Sequence, residues 1–143
     1  MPSDRFLKTM NAAHRALLKV TGGKIGHEAG GMPVLELTTT GRRSGTPRAV
    51  MLTSPLRDGD AYVVVASRGG DDHHPAWFLN LRDEPKVQVA VKGGPPTAMI
   101  ADIATPEERA RMWPQIAGRY RNYAGYQKRT DREIPLVLLR PAA

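Results

Sequence analysis

Three arginines lie within one eight-residue segment of the chain. Arg42, Arg43 and Arg48 belong to the segment 41–48, whose sequence GRRSGTPR contains no acidic residue. A guanidinium group donates paired hydrogen bonds to phosphate or carboxylate, and each charged hydrogen bond contributes about 1.5–3 kcal/mol net, so three could supply roughly 5–9 kcal/mol before ordering costs. The segment predicts an anion-binding turn. A solvated basic surface that keeps the protein soluble is the alternative.

Three of the four tyrosines recur at intervals of three residues, as Tyr120, Tyr123 and Tyr126. On a helix this spacing places the phenols on one face, which could pack in the core. The residues between and beside them are polar or small: Arg119, Arg121, Asn122, Gly125 and Gln127. This composition favours the wall or lid of a cavity over a core helix.

A serine, an arginine and two glycines, Ser67 to Gly70, follow the apolar run AYVVVA. Glycines after a strand allow backbone amides to approach a planar ligand or an anion closely. A plain glycine turn is the alternative interpretation.

The segment Asp71–His74 is the single metal-like cluster of the sequence. Four adjacent residues cannot all face one ion without unusual backbone geometry, and no other histidine lies at ligand spacing, so we predict no metal site. We expect the two histidines to be exposed, or one of them to form a hydrogen bond near the site.

Other catalytic classes lack their motifs. The chain has no cysteine, which excludes disulfides, thiolate metal sites and cysteine nucleophiles and is typical of a reducing compartment. It contains no phosphate loop, no G-x-G-x-x-G and no nucleophile elbow. Its acidic residues are scattered, which leaves no paired carboxylates for hydrolysis.

Length and charge set the broad class. The 143 residues predict a single domain, with an N-terminal helical segment 1–25 and a core 34–140. The net charge of +7 predicts an anionic partner: nucleic acid, anionic lipid or a phosphorylated small molecule. Charges interrupt residues 1–20 every few positions, so we expect neither a signal peptide nor a membrane span, and a cytoplasmic protein.

The pattern along the chain predicts an α+β domain. Helices are expected at 4–20, 76–81, 105–120 and 123–129, and strands at 34–40, 48–56, 61–67, 86–92, 97–104 and 134–140. Consecutive strands joined by tight turns pair antiparallel, which argues against a doubly wound nucleotide-binding sheet. We therefore predict a small barrel of about six mainly antiparallel strands with short helices, preceded by an amphipathic N-terminal helix.

Several motifs taken together resemble one family. The strings LTTTGRRSGTPR, ASRGG, HPAWFLNLRDEPKVQVAVK and RYRNYAGYQKRTDREIPLVLL occur in the order seen in the deazaflavin-dependent nitroreductases. These are F420H2-dependent quinone and nitro-reductases of split β-barrel (FMN-binding-like) fold, and the resemblance covers residues 34–140. It implies that the expected anion is the phosphodiester and γ-linked glutamate tail of coenzyme F420.

The resemblance also implies a set of site residues. Those that match the tail- and phosphate-binding loop are Arg42, Arg43, Ser44 and Arg48. Those that match the segment along the deazaflavin ring are Val65, Ser67 and Arg68, and those on the short helix beside the cofactor are Ala76, Trp77, Phe78 and Asn80. Met51 and Tyr123 complete the predicted cofactor contacts. The tyrosines that match the border of the acceptor pocket are Tyr120, Tyr123 and Tyr126, and together with Ser67 they are the candidate catalytic residues.

The implied reaction is hydride transfer from C5 of the reduced deazaflavin to a quinone, a nitroaromatic or an activated enone. A tyrosine hydroxyl, Ser67 through water, or solvent would then deliver a proton. The family's best-known members have lysine at the position of Arg68, asparagine at that of His74 and a tyrosine near Thr53 or Ser54. We expect these changes to leave cofactor binding intact and to alter acceptor preference, above all toward bulky nitroimidazoles.

Three other interpretations stay open on the sequence. A split-barrel protein could bind FMN, although the arginine turn suits a longer anionic tail. A basic nucleic-acid-binding module is compatible with the charge, but no recognised motif is present. The basic amphipathic helix 4–20 could also lie on anionic lipid at the inner face of the membrane, which is compatible with a quinone reductase. An ordinary helix packed on the barrel is the favoured interpretation of the same segment.

Overall fold

The computed structural model describes residues 28–142. Within them lie eight strands: β1 (Glu28–Ala29), β2 (Met32–Thr40), β3 (Pro47–Thr53), β4 (Leu56–Asp58), β5 (Ala61–Val65), β6 (Lys86–Val91), β7 (Pro96–Ile103) and β8 (Leu136–Pro141). The helices of this part of the chain are α1 (Ala76–Asp83), α2 (Pro106–Arg119) and α3 (Arg121–Lys128), and a 3-10 turn covers Arg68–Gly70. The predicted helix 4–20 lies outside the described residues.

All hydrogen-bonded strand pairs of the sheet are antiparallel. The strand order is β1-β2-β6-β7-β8-β5-β4, and β3 pairs with β2. This arrangement confirms the predicted α+β class with a barrel-like antiparallel sheet. The strand count exceeds the predicted six for two reasons: β1 forms in a glycine-rich segment predicted as loop, and the predicted strand 48–56 is divided into β3 and β4.

Ser54 and Pro55 divide that strand. Pro55 has no backbone N–H with which to continue a ladder. The Ser54 N–H donates to the carbonyl of Pro33 at 3.1 Å. The Ser54 hydroxyl lies 2.8 Å from the carbonyl oxygen of Val63 and 3.1 Å from that of Leu56. This buried serine therefore joins the β2–β3 hairpin to the β4–β5 hairpin and brings the two ends of the curled sheet together.

The alternation of side chains along the strands gives the sheet two apolar faces. On one face, α1 places Trp77 and Phe78 against Val64. We call the buried residues of this face the inner cluster: Leu35, Leu37, Val64, Ala66, Trp77, Phe78, Leu81, Val87, Val89, Met99, Ala101, Val137 and Leu139. On the opposite face, α2 and α3 cover Val63 and Val65. We call the buried residues of that face the outer cluster: Met32, Ala61, Val63, Val65, Met112, Ile116, Tyr123, Ile134, Leu136 and Leu138. The two faces of β5 thus belong to different cores.

Helix α2 begins with a capping box. The Thr105 hydroxyl accepts a hydrogen bond from the Glu108 N–H at 3.2 Å, and the Glu108 carboxylate accepts one from the Thr105 N–H at 2.9 Å. The helix continues through Pro114 without a break. Tyr120 is extended and separates α2 from α3. Among the helices of residues 28–142, none is long and apolar enough to cross a membrane.

Candidate cofactor site

The arginine-rich segment forms the connection of the β2–β3 hairpin. Thr40 pairs with Pro47 at the end of the two strands. The Gly41 N–H donates to the carbonyl of Thr46 at 2.8 Å, which closes the loop. The Ser44 hydroxyl lies 2.7 Å from that of Thr46 and accepts from the Thr46 N–H at 3.2 Å. Ser44, predicted to bind the cofactor, therefore orders the loop from within.

Arg42 is attached to helix α1. Oδ1 of Asn80 accepts from the Arg42 N–H at 3.2 Å and from the Arg42 guanidinium at 3.0 Å. The Asn80 amide donates to the Thr39 hydroxyl at 3.1 Å. Asn80 is buried, at 5% exposure, and Thr39 is also buried. The helix therefore fixes the hairpin loop through one asparagine.

The side chains of Arg43 and Arg48 extend from this fixed loop into solvent. Both residues are exposed, and neither side chain makes a hydrogen bond or an ion pair with a residue that the structure describes. Their charges are therefore uncompensated within residues 28–142. Two exposed guanidinium groups on an ordered loop form a suitable site for a flexible anionic chain.

The loop after β5 has unusual backbone geometry. Ser67 is in the right-handed region (φ −79°, ψ −38°), and the next three residues have positive φ: Arg68 (46°), Gly69 (66°) and Gly70 (83°). Arg68 is one of two residues other than glycine with positive φ among those described. The Gly70 N–H donates to the carbonyl of Ser67 at 3.0 Å. Left-handed geometry at a non-glycine residue costs about 1–2 kcal/mol, so surrounding contacts must maintain it.

Arg132 supplies several of those contacts, beside the ion pair of Arg68 with Asp71 at 3.8 Å. Its guanidinium donates to the carbonyl oxygens of Ala66 at 3.1 Å, Ser67 at 2.7 Å and Asp71 at 2.8 Å, and lies 3.2 Å from Nδ1 of His74. Burial, together with the positive charges of Arg132 and Arg82, lowers the pKa of His74. A neutral His74 with an unprotonated Nδ1 accepts from Arg132, which is consistent with the expected hydrogen bond of one histidine near the site.

The rings of the three tyrosines meet edge to face, with Tyr120 just before α3 and the other two within it. The ring centroid of Tyr123 lies 6.4 Å from that of Tyr120 and 6.0 Å from that of Tyr126. Tyr123 is buried in the outer cluster, whereas Tyr120 and Tyr126 are half-buried beside it. The Tyr123 hydroxyl lies 3.1 Å from that of Thr53 and 3.6 Å from the sulfur of Met32. Of Thr53 and Ser54, Thr53 is therefore the one that faces the tyrosines.

Burial raises the pKa of Tyr123, and the hydrogen bond with Thr53 opposes that rise only in part. The phenol is therefore protonated at neutral pH. Its hydroxyl belongs to a contact between α3 and β3, whereas the two flanking tyrosines retain exposed surface.

The remaining predicted residues divide between the two faces of the sheet. Trp77 and Phe78 are buried in the inner cluster and Ala76 is exposed at the start of α1. Val65 belongs to the outer cluster with Tyr123. Met51 precedes Thr53 by two residues on β3 and so faces the same side, where it is 7% exposed.

Two important residues were not predicted from the sequence. Nothing in the sequence around Arg132, TDRE, indicates partners 58 to 66 residues earlier. Thr39 has the pattern of an ordinary strand residue, although it completes the link from Asn80 to the hairpin. Within residues 28–142, no group of three or more histidine, cysteine or acidic residues could hold a metal ion.

Comparison with known proteins gives the family. The sequence matches the family described as F420H(2)-dependent quinone reductase over residues 10–141. An F420H(2)-dependent quinone reductase of Mycobacterium tuberculosis is 42% identical over 130 residues, which cover 88% of this chain and 86% of that protein.

Two solved structures share the fold. That of an F420-H2 dependent reductase, FDR-A, is similar with a TM-score of 0.63 and 38% identity, and the match covers 76% of this chain and 94% of FDR-A. That of a domain-swapped dimer has a TM-score of 0.65 and 33% identity, and covers 90% of this chain and 96% of that one. The predicted family resemblance and split-barrel fold are thus confirmed: the chain belongs to the F420H(2)-dependent quinone reductase family.

Proposed function

We propose that this protein reduces a quinone by transferring a hydride to it from reduced coenzyme F420. The observation that carries the proposal is the ordered hairpin loop from which Arg43 and Arg48 extend without a partner among the described residues. Family membership indicates the reaction. The loop provides a binding site for the anionic tail of the cofactor.

The residues of the loop fit the anionic tail of F420. The tail carries a phosphodiester and glutamate carboxylates, and a guanidinium group binds both kinds of anion in a bidentate manner. Arg42 is held by Asn80, so the loop is ordered before a ligand arrives, which lowers the entropic cost of binding. We infer that Arg43 and Arg48 contact the tail directly and that Arg42 mainly sets the position of the loop.

When bound, reduced F420 supplies the hydride from C5 of its deazaflavin ring. The chain itself orients the partners and excludes water. The segment Val65–Arg68 follows β5, and the half-buried Tyr120 and Tyr126 are suited to border an acceptor. Proximity and orientation then supply most of the rate acceleration. A protonated hydroxyl, from one of the tyrosines or from Ser67 through water, is available for the reduced acceptor.

The cofactor assignment is tested by fluorescence titration of purified protein with F420 and with FMN. The variant Arg42→Gln/Arg43→Gln/Arg48→Gln should lose affinity for F420 by about 100-fold or more. The variant Arg57→Gln/Arg111→Gln/Arg140→Gln is a matched control, because it removes the same amount of charge from outside the hairpin loop. These three arginines contact Ala61, Asp58 and Asp102. Unchanged affinity in the first variant would refute binding of the F420 tail by the hairpin loop. Tighter binding of FMN than of F420 would favour an FMN-binding protein.

The acceptor is tested by oxidation of F420H2 in the presence of a quinone, a nitroaromatic or an activated enone. We expect the quinone to give the highest kcat/KM. The family's best-known members have a tyrosine near this position, whereas this chain has Thr53 bonded to Tyr123. The acceptor preference should therefore differ, and nitroimidazoles should be poor acceptors. Equal rates with all three classes would leave the reductase activity standing but refute the preference.

We further propose a cytoplasmic, single-domain protein that contacts the inner face of the membrane through residues 4–20, where a quinone would be available. Co-sedimentation with anionic vesicles, with and without residues 1–25, tests this contact. Equal sedimentation of the two forms would eliminate it.

A further inference from the structure

The guanidinium group of Arg132 makes its hydrogen bonds to one short segment of the chain. Nε donates to the carbonyl of Asp71, one terminal nitrogen donates to Ala66 and lies beside Nδ1 of His74, and the other terminal nitrogen donates to Ser67. The four acceptors belong to residues 66–74, which immediately follow β5 and contain the segment expected along the deazaflavin ring.

We propose that Arg132 is a positioning residue of the cofactor site, which fixes the loop Ser67–Gly70 in the conformation that receives the deazaflavin ring. This inference rests on the proposed function, because the ring is that of coenzyme F420. Arg132 acts on the ligand through the loop and is not itself a catalytic residue.

The geometry of the peptide bond explains how a guanidinium group can aim backbone donors. All peptide bonds of the described chain are trans, so that each carbonyl points opposite to the N–H of the next residue. The carbonyl of Ala66 shares a peptide plane with the N–H of Ser67, and the carbonyl of Ser67 shares one with the N–H of Arg68. Arg132 holds both carbonyls and thereby directs both N–H groups away from itself.

The backbone conformation of the same residues makes those N–H groups converge. Ser67 is right-handed and Arg68 is left-handed. A right-handed residue followed by a left-handed one forms a concave arrangement of successive N–H groups that binds anions or carbonyl oxygens. The carbonyl-bearing edge of a planar heterocycle is a ligand of that kind. The strained conformation at Arg68 must be maintained by contacts of the loop, and Arg132 holds the two carbonyls that precede Arg68.

Only arginine has the shape for this task. The guanidinium group of Arg132 is planar and donates from three different nitrogens, so it reaches several carbonyls at once. A lysine ammonium carries all of its donors on one atom. The segment after α3 contributes a second restraint, because the Thr130 hydroxyl donates to the Asp72 carboxylate at 2.7 Å. Replacement of Arg132 by lysine should therefore keep the charge and lose most of the carbonyl contacts.

A second half-buried arginine offers a matched control. Arg109 donates to the carbonyl of Ile134 at 2.9 Å and to Oε1 of Gln127 at 3.1 Å, and its guanidinium stacks 4.6 Å from the ring centroid of Trp113. Burial lowers the pKa of Arg109 and of Arg132 alike. The Arg109→Lys change therefore removes comparable contacts without touching residues 66–74.

The experiment compares wild type, Arg132→Lys and Arg109→Lys in two measurements. The first is the Kd for F420 from fluorescence titration, together with KM for F420 and for the quinone. We expect Arg132→Lys to raise the Kd and the KM for F420 about tenfold or more and to leave the KM for the quinone unchanged. Arg109→Lys should leave all three constants within about twofold of wild type.

The second measurement is amide hydrogen exchange of residues 66–72 in protein without ligand. In wild type we expect the Gly70 and Asp71 amides to be protected, and in Arg132→Lys we expect them to exchange at least about tenfold faster. Rapid exchange of these amides in wild type would overturn the proposal without any variant, even if Arg132→Lys did not fold. Equal weakening of F420 binding by the two lysine variants would also overturn it, because Arg132 would then act through general stability.

The two proposals fail separately. If wild-type protein does not bind F420, the proposed function is wrong, and the positioning of the deazaflavin ring is wrong with it. If wild type binds F420 and Arg132→Lys binds it equally well with an unchanged exchange rate, the proposed function stands and the role of Arg132 is refuted.

Discussion

Arg42 donates two hydrogen bonds to a single oxygen of Asn80, one from its backbone N–H and one from its guanidinium group. The same amide donates through its nitrogen to Thr39. Helix α1 thus holds the arginine hairpin from the side opposite to solvent. The three arginines, equivalent in the sequence, therefore have different tasks: Arg42 connects the loop to the protein, whereas Arg43 and Arg48 are available to a ligand.

Replacement of Asn80 by alanine should disorder the hairpin loop. The change removes the partner of the Arg42 backbone N–H and of the buried Thr39 hydroxyl, which should lower the free energy of unfolding by about 1–3 kcal/mol. The affinity for F420 should fall about tenfold although no charge is lost, because binding must then order the loop. Urea denaturation and fluorescence titration measure the two effects.

Ser54→Ala is the matched control for Asn80→Ala. It also removes a buried hydrogen-bonding side chain, at the end of β3 remote from the hairpin loop along the strand. We expect a similar loss of stability and an unchanged affinity for F420. Equal loss of affinity in both variants would show that Asn80 acts only through stability.

Single substitutions should separate the arginines. Arg43→Gln and Arg48→Gln should each weaken F420 binding by about tenfold and reduce its dependence on salt concentration, because each removes one charged contact. Arg42→Gln should weaken binding with a larger loss of thermal stability, because it removes the guanidinium bond to Asn80. Titrations at two salt concentrations, with melting curves, distinguish the two patterns. Identical behaviour of the three variants would contradict the division of tasks.

The sequence predicts the local features of the fold better than the contacts between distant segments. The hairpin of arginines, the capping box at Thr105 and the antiparallel strands follow from residue patterns within short windows. The division of a strand at Ser54 does not, because a serine bonded to Val63 resembles any turn serine in the sequence.

Trp77 and Phe78 match a cofactor wall by resemblance. A buried aromatic pair can also fill a barrel, and the two residues lie in the inner cluster. Long side chains such as Arg132 reach partners that no periodicity reveals.

Protonation of His74 should destabilise the protein below neutral pH. Burial first, and then the charges of Arg132 and Arg82, lower the pKa of His74 below its ordinary value of 6.5. Between the two pKa values the unfolded chain binds a proton that the folded chain does not, so stability is retained above pH 6.5 and falls as the pH decreases toward the folded value. The variant His74→Asn should therefore lose less stability between pH 7 and pH 5. The slope of the unfolding free energy against pH should differ between the two proteins by about one proton at most. Parallel pH profiles of the two proteins would refute the assignment.

The hydroxyl pair of Tyr123 and Thr53 should stabilise the contact between α3 and β3. In a double-mutant cycle with Tyr123→Phe and Thr53→Val, we expect a coupling energy of about 0.5–1.5 kcal/mol, the usual contribution of one neutral hydrogen bond. Chemical denaturation of the four proteins gives this energy. A coupling of zero would mean that the two hydroxyls, 3.1 Å apart, bond to water instead.

The same Tyr123→Phe variant tests the proposed proton donors. If the half-buried Tyr120 and Tyr126 border the acceptor, Tyr126→Phe should lower kcat with a quinone more than Tyr123→Phe does. A larger effect at Tyr123 would identify its buried hydroxyl as the one that reaches the acceptor.

Gly70 fixes the distance between the loop after β5 and helix α3. Its φ is +83°, and a Cβ atom at this position would lie 2.6 Å from the carbonyl oxygen of Tyr126 and 3.0 Å from Cβ of Arg129. Gly70→Ala should therefore lower the free energy of unfolding by roughly 2–5 kcal/mol, from backbone strain and overpacking together.

Gly59→Ala is the control that isolates the backbone strain. Gly59 has φ +62° but no atom within 4 Å of the added carbon, so this variant should lower the free energy of unfolding by about 1 kcal/mol. Urea denaturation measures both. The excess at Gly70 reports the close contact between loop and helix, and its absence would mean that α3 can move away from the candidate site without cost.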